Sequence, residues 1–584
     1  LGVLGIAWSP VSWGVAVLIF ALVAWGVGRV IGRGAPRAPS FPGSTWSLLA
    51  ALILGALLVI WRLAAYIGDP DAVSQTNDAV FHMNAVRYIV ESADASSLHV
   101  SSLVGGSGFY PAAWHALVSL IVQVTGTSIP IAANMLTLVI GAVIWPLGLA
   151  WLTRLVAGSA AAVVAAVLAG VMQNFPLLMF QWGVLFPNAL STALIPAAVG
   201  LVIFLPVWNR GVRRWQTAVR SVLVVAVSAG SLAVAQPAAL LPWGGICVVW
   251  LSCRLLAAER SRDWRSWVAL IIAWSVFALA WIGLSRSTSG SHWPFFRTRF
   301  EALLDIVLNS HVLIAPQIGI SILMLLGLVV AVRTPRLRWF ALAWLGVSGV
   351  YWLVAAVGNE TVRNLVLGAW YADPYRIAAL VPVVVIPLAA VGAEAVVRAV
   401  ADRLPKRAAA VGRVSLAVLI LLAAVLVLLR PVPLPSVTAR NYDPVSRYES
   451  SDKSYLSDDE RALLEQLDEL VEPGVRVIGN PSTGVGFGYF FSGVDVYPRT
   501  WSPPADAAWQ ILAEDLRYAA DDPDVCGALA AFDDPAYVLD FGPGETRAGR
   551  WLMPGITEFA GQDGFELVAE EGDASLWRIT ACDQ

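Results

Sequence analysis

Charge is what this 584-residue sequence has least of: 14% of its residues are Asp, Glu, Lys or Arg, 58% are hydrophobic, and its mean hydropathy is +0.70. Soluble globular chains carry about 25% charged residues. A soluble enzyme, a disordered scaffold and a secreted disulfide module are therefore excluded for most of the length. Cysteine is scarce too, with four in the chain and none in a CxxC or Cys/His metal spacing. Cys247 and Cys253 share one apolar run and read as packing residues. Cys526 and Cys582 remain as a pair that an oxidising compartment would allow to bond. A charged start followed by a small-residue cleavage site is also missing, so no cleavable signal peptide is expected. The absent initiator Met reads as a trimmed or processed start.

What the sequence does have is long apolar runs. Stretches of about 17–25 such residues can cross a bilayer as helices. They fall at about 12–31, 45–67, 129–152, 157–173, 187–208, 219–236, 238–253, 266–285, 317–332, 339–357, 377–397 and 412–430. The expected fold class is thus a polytopic α-helical membrane protein of about twelve spans, residues 1–430. A C-terminal extracytoplasmic α/β or α+β domain, residues 431–584, follows it. Charge marks the same division. From Ser436 onward there are 28 acidic and 10 basic residues, against 13 acidic and 28 basic before it, with Pro431-Val432-Pro433-Leu434-Pro435 at the boundary.

Lys and Arg collect in cytoplasmic loops. With the first span running inward, alternate loops carry Arg29, Arg33 and Arg37; Arg154; Arg210 to Arg220; Arg254 to Arg265; Arg333 to Arg338; and Arg398 to Arg413. That agreement requires Tyr110–Val124 to lie at the interface without crossing, and it places 69–128 and the acidic tail outside. The spans are almost free of ionisable groups, which argues against an ion-coupled transporter. Arg62 and Glu394, near span ends, read as snorkelling side chains.

Polar and aromatic residues gather in the outer loops instead. Asn77 or Asp78 suits a helix N-cap, and Phe81, Ala85, Tyr88 and Ile89 then share a face that could lie along the membrane. Asp78 and His82 are one turn apart, and a carboxylate beside an imidazole can take a proton from a hydroxyl. The plainer reading is that Asp78 caps and His82 packs. Gly105 to Gly108 permit a turn before a short helix bearing Tyr110, Trp114 and His115. Gln181-Trp182 to Pro187-Asn188 is an aromatic turn that could stack on a sugar. Arg376 follows Tyr371 and Tyr375 at the start of a span, where a guanidinium and helix amides could hold a phosphate, with Arg363 upstream. Snorkelling explains Arg376 equally well. His292, Trp293, Arg297, Arg299 and His311 form a basic and aromatic patch equally suited to lipid headgroups.

In the tail, 458–471 reads as an amphipathic helix, and Val475–Pro481, Ala536–Phe541 and Phe565–Ala569 read as strands. The aromatics Phe487–Phe491 and Trp501 read as ordinary core. No Gly-x-Ser-x-Gly and no His-rich cluster is present, so this domain is expected to bind or shield substrate without catalysing.

An early outer-loop Asn77-Asp78 with Phe81-His82, then Tyr110-Pro111-x-x-Trp114-His115, then a span ending Leu152-Thr153-Arg154, resembles the GT-C superfamily of membrane glycosyltransferases. The Ala- and Trp-rich composition and outer tail resemble uncharacterised actinobacterial members akin to cell-wall arabinofuranosyltransferases. The resemblance implies a polyprenyl-phosphate sugar as donor and an envelope glycan, glycolipid or protein as acceptor, at the outer face of the cytoplasmic membrane. It implies Asp78 as general base with His82 beside it, and Arg376 and Arg363 on the donor phosphate. Asn77, Tyr110, His115, Trp182, Gln236, His292, Trp293, Tyr371 and Tyr375 are the implied sugar or acceptor contacts. Two motifs depart from the pattern. The paired acidic motif is one Asp beside Asn77, so no divalent metal is supported, and Gln236-Pro237 stands where a His-Pro is frequent. A flippase of lipid-linked glycans and a non-catalytic envelope-assembly protein are the alternatives; nucleic acid is not an expected partner.

Overall fold

A computed structural model describes residues 2–31, 45–257, 263–287, 293–403, 448, 454–545 and 550–582. The span expected at 412–430 and the proline boundary at 431–435 lie outside the described residues. Within them, nine helices are long and apolar enough to cross a membrane: Pro10–Ile31, Thr45–Ile67, Ile129–Ala157, Phe186–Trp208, Arg214–Ala235, Pro237–Leu256, Trp264–Arg286, Pro335–Ala356 and Pro374–Val400. Ser159–Leu168 and Ile318–Arg333 are shorter apolar helices at two further expected positions, and Ala113–Thr125 is a third short one. The chain is a mostly helical, multi-pass membrane protein with a small sheet near its C-terminus.

Its residues fall into two compact units, one of residues 17–66 and 137–445, the other of 1–16, 67–136 and 446–584. The first is helical. Its helices Ile318–Arg333 and Pro382–Ala401 cross at Gly327 and Gly392, where a Cβ on either would collide with the carbonyl of Leu388 or Leu323. Small residues at a crossing let membrane helices approach backbone to backbone. Arg62 does not snorkel. Its Nη1 donates to the carbonyls of Gly170 (3.0 Å) and Val171 (2.8 Å), in the turn just beyond the Ser159–Leu168 helix.

Neutral amides supply much of the buried polarity here. Gln317 donates to Asn174 Oδ1 (2.7 Å) and to the Asn309 carbonyl (2.8 Å), and Asn309 Nδ2 donates to Ser321 Oγ (3.0 Å). The expected headgroup patch is also partly internal. Arg297 makes a bidentate pair with buried Asp305 (2.9 Å for each bond), which also accepts from Ser310 and Tyr351. His311 is buried edge-on against the Tyr351 ring, and burial pulls its pKa down to about 3. His311 is not displayed for a lipid headgroup, and Arg297 is committed to Asp305.

The second unit contains a five-stranded sheet in the order β2-β1-β3-β5-β4, with β1 Arg476–Gly479, β2 Asp495–Tyr497, β3 Tyr537–Asp540, β4 Phe565–Glu571 and β5 Ala574–Ile579. β1 runs parallel to β2 and β3, and β5 runs antiparallel to β3 and β4. Apolar residues of the Ala507–Asp515 and Pro523–Ala530 helices (Trp509, Leu512, Val525, Leu529) cover Ile478, Val538 and Ile579. A disulfide joins Cys526 to Cys582, with Cα atoms 5.5 Å apart. Phe487, Tyr489 and Phe490 are buried, as core aromatics should be, while Trp501 stacks on Trp551.

Candidate active site

The helix Asn77–Ser92 belongs to the sheet-bearing unit, and its apolar residues decide its setting. Ala79, Val80, Met83, Ala85, Val86 and Ile89 are all buried. The face carrying Phe81, Ala85, Tyr88 and Ile89 packs on Val100, Leu103, Tyr110, Ala112 and Tyr489. The expected helix lying along a membrane with one free face is thus corrected to a helix buried in protein. Buried Asn84 fixes it there. Its Nδ2 donates to the carbonyls of Gly486 (2.8 Å) and Arg499 (3.0 Å), and its Oδ1 accepts from Phe490 N (3.0 Å). Gly486 permits this approach, since a Cβ there would sit 2.9 Å from Val80 Cγ1. Each unpaired buried polar group costs about 1–3 kcal/mol, so three satisfied ones specify the position strongly.

Thr76 is the N-cap, which corrects the expectation of Asn77 or Asp78. Asn77 and Asp78 are the helix's first two residues, both half-buried, with Asp78 in the first turn where a carboxylate is favoured by the helix dipole. One turn on, His82 Nδ1 lies 2.9 Å from His115 Nε2, on the Ala113–Thr125 helix. Both imidazoles are buried, His115 completely. Phe81, Tyr110 and Trp114 surround the pair, with Phe81 and Tyr110 centroids 4.6 Å apart. Burial, and then the neighbouring His82, hold the His115 pKa well below the usual imidazole range. His115 is therefore a neutral partner of His82, which corrects its expected role as a sugar contact. Tyr110 and Phe81, both half-buried, are the aromatics of this group with surface left, and Tyr110 alone of the two carries a hydroxyl.

In the helical unit the expected sugar and phosphate residues also gather, around an acid the sequence reading passed over. Asp373 caps the Pro374–Ala378 helix and accepts from the backbone of Tyr375 (2.8 Å) and Arg376 (3.4 Å), from Arg376 Nε (3.1 Å) and from Trp182 Nε1 (3.3 Å). Burial raises its pKa, and Arg376 and these donors oppose the rise. The Asp373-Pro374 step was its available signal, because Asp favours the N-cap and Pro the first helical position. Tyr371 and Ala372 precede it with φ of 58° and 51°, left-handed values that non-glycine residues hold only where surrounding bonds compel them.

Trp182 stacks on Tyr375 (4.1 Å, 11° between planes), and Trp293 meets Trp182 edge-on at 4.9 Å. Trp182 and Tyr375 are buried and use their faces on each other, whereas Trp293 keeps exposed surface. Arg376 is 18% exposed and lies 4.9 Å over the Tyr371 ring. The helix amides expected to join it on a phosphate are taken by Asp373. Arg363 is corrected outright: it is buried, and its guanidinium donates to the carbonyls of Val354 (2.9 Å), Val357 (2.8 Å) and Trp293. Gln236 donates to Asn188 Oδ1 (3.3 Å). His292 lies outside the described residues. No group of three or more His, Cys, Asp or Glu suited to a metal occurs among the described residues, so no residue is assigned to one.

A family described as being of unknown function, DUF6541, matches residues 1–581. The chain belongs to that family. No curated protein matches it. Among solved structures, the DUF6541 chain is similar to the oligosaccharyltransferase of Archaeoglobus fulgidus tethered to an acceptor peptide containing an NVT sequon. That match has a TM-score of 0.51 and 11% identity, over 85% of this chain and 69% of that one. The archaeal oligosaccharyltransferase AglB in complex with an inhibitory peptide and a dolichol-phosphate matches with TM-score 0.49 and 12% identity, over 85% and 69%. At such identity the likeness to the tethered-peptide structure is one of fold alone.

Proposed function

We propose that this protein is a GT-C-type glycosyltransferase that moves a sugar from a polyprenyl-phosphate donor to an envelope glycan, glycolipid or protein at the outer face of the cytoplasmic membrane. The observation that carries the reading is Asp78, half-buried in the first turn of a helix held rigidly by Asn84, with the His82–His115 pair one turn away. The fold shared with an enzyme solved with a tethered acceptor peptide supports it. Asp78 takes the proton of the acceptor hydroxyl as that oxygen bonds to the sugar C1; the bond from C1 to the phosphate oxygen breaks, and polyprenyl phosphate leaves. The sequence resemblance, rather than any measured proximity, assigns Arg376 to the charge that develops on the phosphate, and Trp293, Tyr110 and Asn77 to sugar or acceptor. Arabinofuranose is the sugar that the sequence resemblance points to.

The test uses the full chain in lipid nanodiscs, offered polyprenyl-phosphate arabinofuranose and its mannose and glucose counterparts with envelope glycan acceptors. Transfer from one donor is expected, and Asp78→Ala should lower it by about 100-fold or more. Wild-type transfer by that variant would remove the site. Movement of intact lipid-linked glycan between leaflets with no transfer would replace the enzyme by a flippase.

A further inference from the structure

We propose that His115 is a positioning residue that holds the proton of His82 on Nε2. This deepens the reading of Asp78 and His82 above and rests on it for its catalytic meaning, but not for its geometry. The two imidazoles share one hydrogen bond, His82 Nδ1 to His115 Nε2 at 2.9 Å, and one of them must donate. The other nitrogen of His115, Nδ1, is buried without a hydrogen-bond partner among the described residues. That orphan decides between the arrangements.

If His82 Nδ1 donated, His115 would carry its own proton on Nδ1, leaving a buried N–H with no acceptor. If His115 Nε2 donates, Nδ1 is an unprotonated ring nitrogen, and what is orphaned is an acceptor. Buried orphan N–H groups are the rarer of the two in proteins. His115 Nε2–H therefore donates, His82 Nδ1 accepts, and the His82 proton resides on Nε2.

The same bond opposes protonation of His82. A cationic His82 would have to donate from Nδ1, which would drive the His115 proton onto the orphaned position. The aromatic cage of Phe81, Tyr110 and Trp114 keeps both rings in this register. His115 thus does for His82 what a hydrogen-bonded partner does for any working imidazole: it fixes which nitrogen gives and which receives. A neutral His82 with its proton on Nε2 offers a hydrogen bond and adds no positive charge beside Asp78, whose carboxylate must stay basic enough to accept a proton.

The chain has only five histidines, so the tautomer can be read directly in full-length protein labelled with 15N-histidine in nanodiscs, His82 being assigned through His82→Gln. Wild type should show His82 protonated on Nε2 and bare on Nδ1. His115→Gln, whose amide can still donate to Nδ1, should preserve that state. His115→Phe, which fills the cage but donates nothing, should leave a mixture of tautomers and lower sugar transfer by about 10- to 100-fold. A wild-type His82 bearing its proton on Nδ1, or cationic, overturns the proposal even if His115→Phe fails to fold. So does an unchanged His82 tautomer in folded His115→Phe. The tautomer is measured without substrate, so it stands if Asp78→Ala retains transfer and the glycosyltransferase reading falls.

Discussion

Buried ionisable groups in the two compact units differ in how far their bonds are filled, although His311 of the helical unit, like His115, keeps a buried ring nitrogen unpaired among the described residues. In the helical unit Asp373 accepts from four donors, Asp305 from three side chains, and Arg363 donates to three carbonyls. In the sheet-bearing unit Glu460 is buried and accepts from the backbone of Ser457 (2.6 Å) and Gly484 (3.4 Å), and His115 keeps one ring nitrogen unpaired among the described residues. A charged group with all its bonds filled holds geometry and has no second state to move to. A partly satisfied one has its protonation state set chiefly by burial. The first arrangement is scaffolding, and the second is where protons can be handled.

The largest effect should come from undoing the scaffolding. Arg363→Met removes three hydrogen bonds from a cation and leaves buried carbonyls unpaired, which should cost about 4 kcal/mol. Thermal unfolding in nanodiscs would register it as a markedly lower midpoint. A variant as stable as wild type would mean that saturation in the helical unit is incidental, and the contrast between units would lose its basis.

Glu460 sharpens the other side of the comparison. Burial raises its pKa from 4.5 to about 7, only partly offset by the Ser457 and Gly484 amides. Because the folded state holds this proton more tightly than the unfolded chain does, the group's contribution to stability is full below pH 4.5. It declines as pH rises towards 7 and is flat above. The decline amounts to about 3 kcal/mol. Unfolding measured from pH 5 to pH 8 should show that slope in wild type, and Glu460→Gln should abolish it. An identical slope in both proteins would assign the pH dependence elsewhere.

How much of this was legible beforehand depends on the range of the interaction. The spans could be read because each is a local run of apolar residues, and β1, β3 and β4 because short apolar stretches end at turn residues. β2, at three residues, is too short to carry a pattern, and β5 mixes Ser, Trp and Arg with its apolar positions. The burial of the Asn77–Ser92 helix was not legible, since its cover comes from residues some 400 positions later. His82 and His115 were each visible as candidates, but a bond between residues 33 apart has no signature in spacing. Arg363 and Arg376 looked alike in sequence. What separates them is which carbonyls and carboxylates surround each guanidinium, and that is set by tertiary packing.

That pair of arginines gives the smallest and most discriminating effect. Arg376, unlike Arg363, uses its Nε on Asp373, keeps 18% of its side chain exposed and rests on the Tyr371 ring. A guanidinium so held can keep Asp373 with one edge while presenting another to a phosphate. Lysine preserves the charge and the stacking on Tyr371 but offers a single ammonium, which cannot serve carboxylate and phosphate in the same geometry. Arg376→Lys should therefore leave the fold intact and raise the donor KM about 10-fold, equivalent to about 1.4 kcal/mol. Turnover at saturating donor should stay closer to wild type, because the ammonium still faces the leaving group. Unchanged donor kinetics would reduce Arg376 to another scaffold residue like Arg363, and the phosphate would then have to be met by groups other than these two arginines.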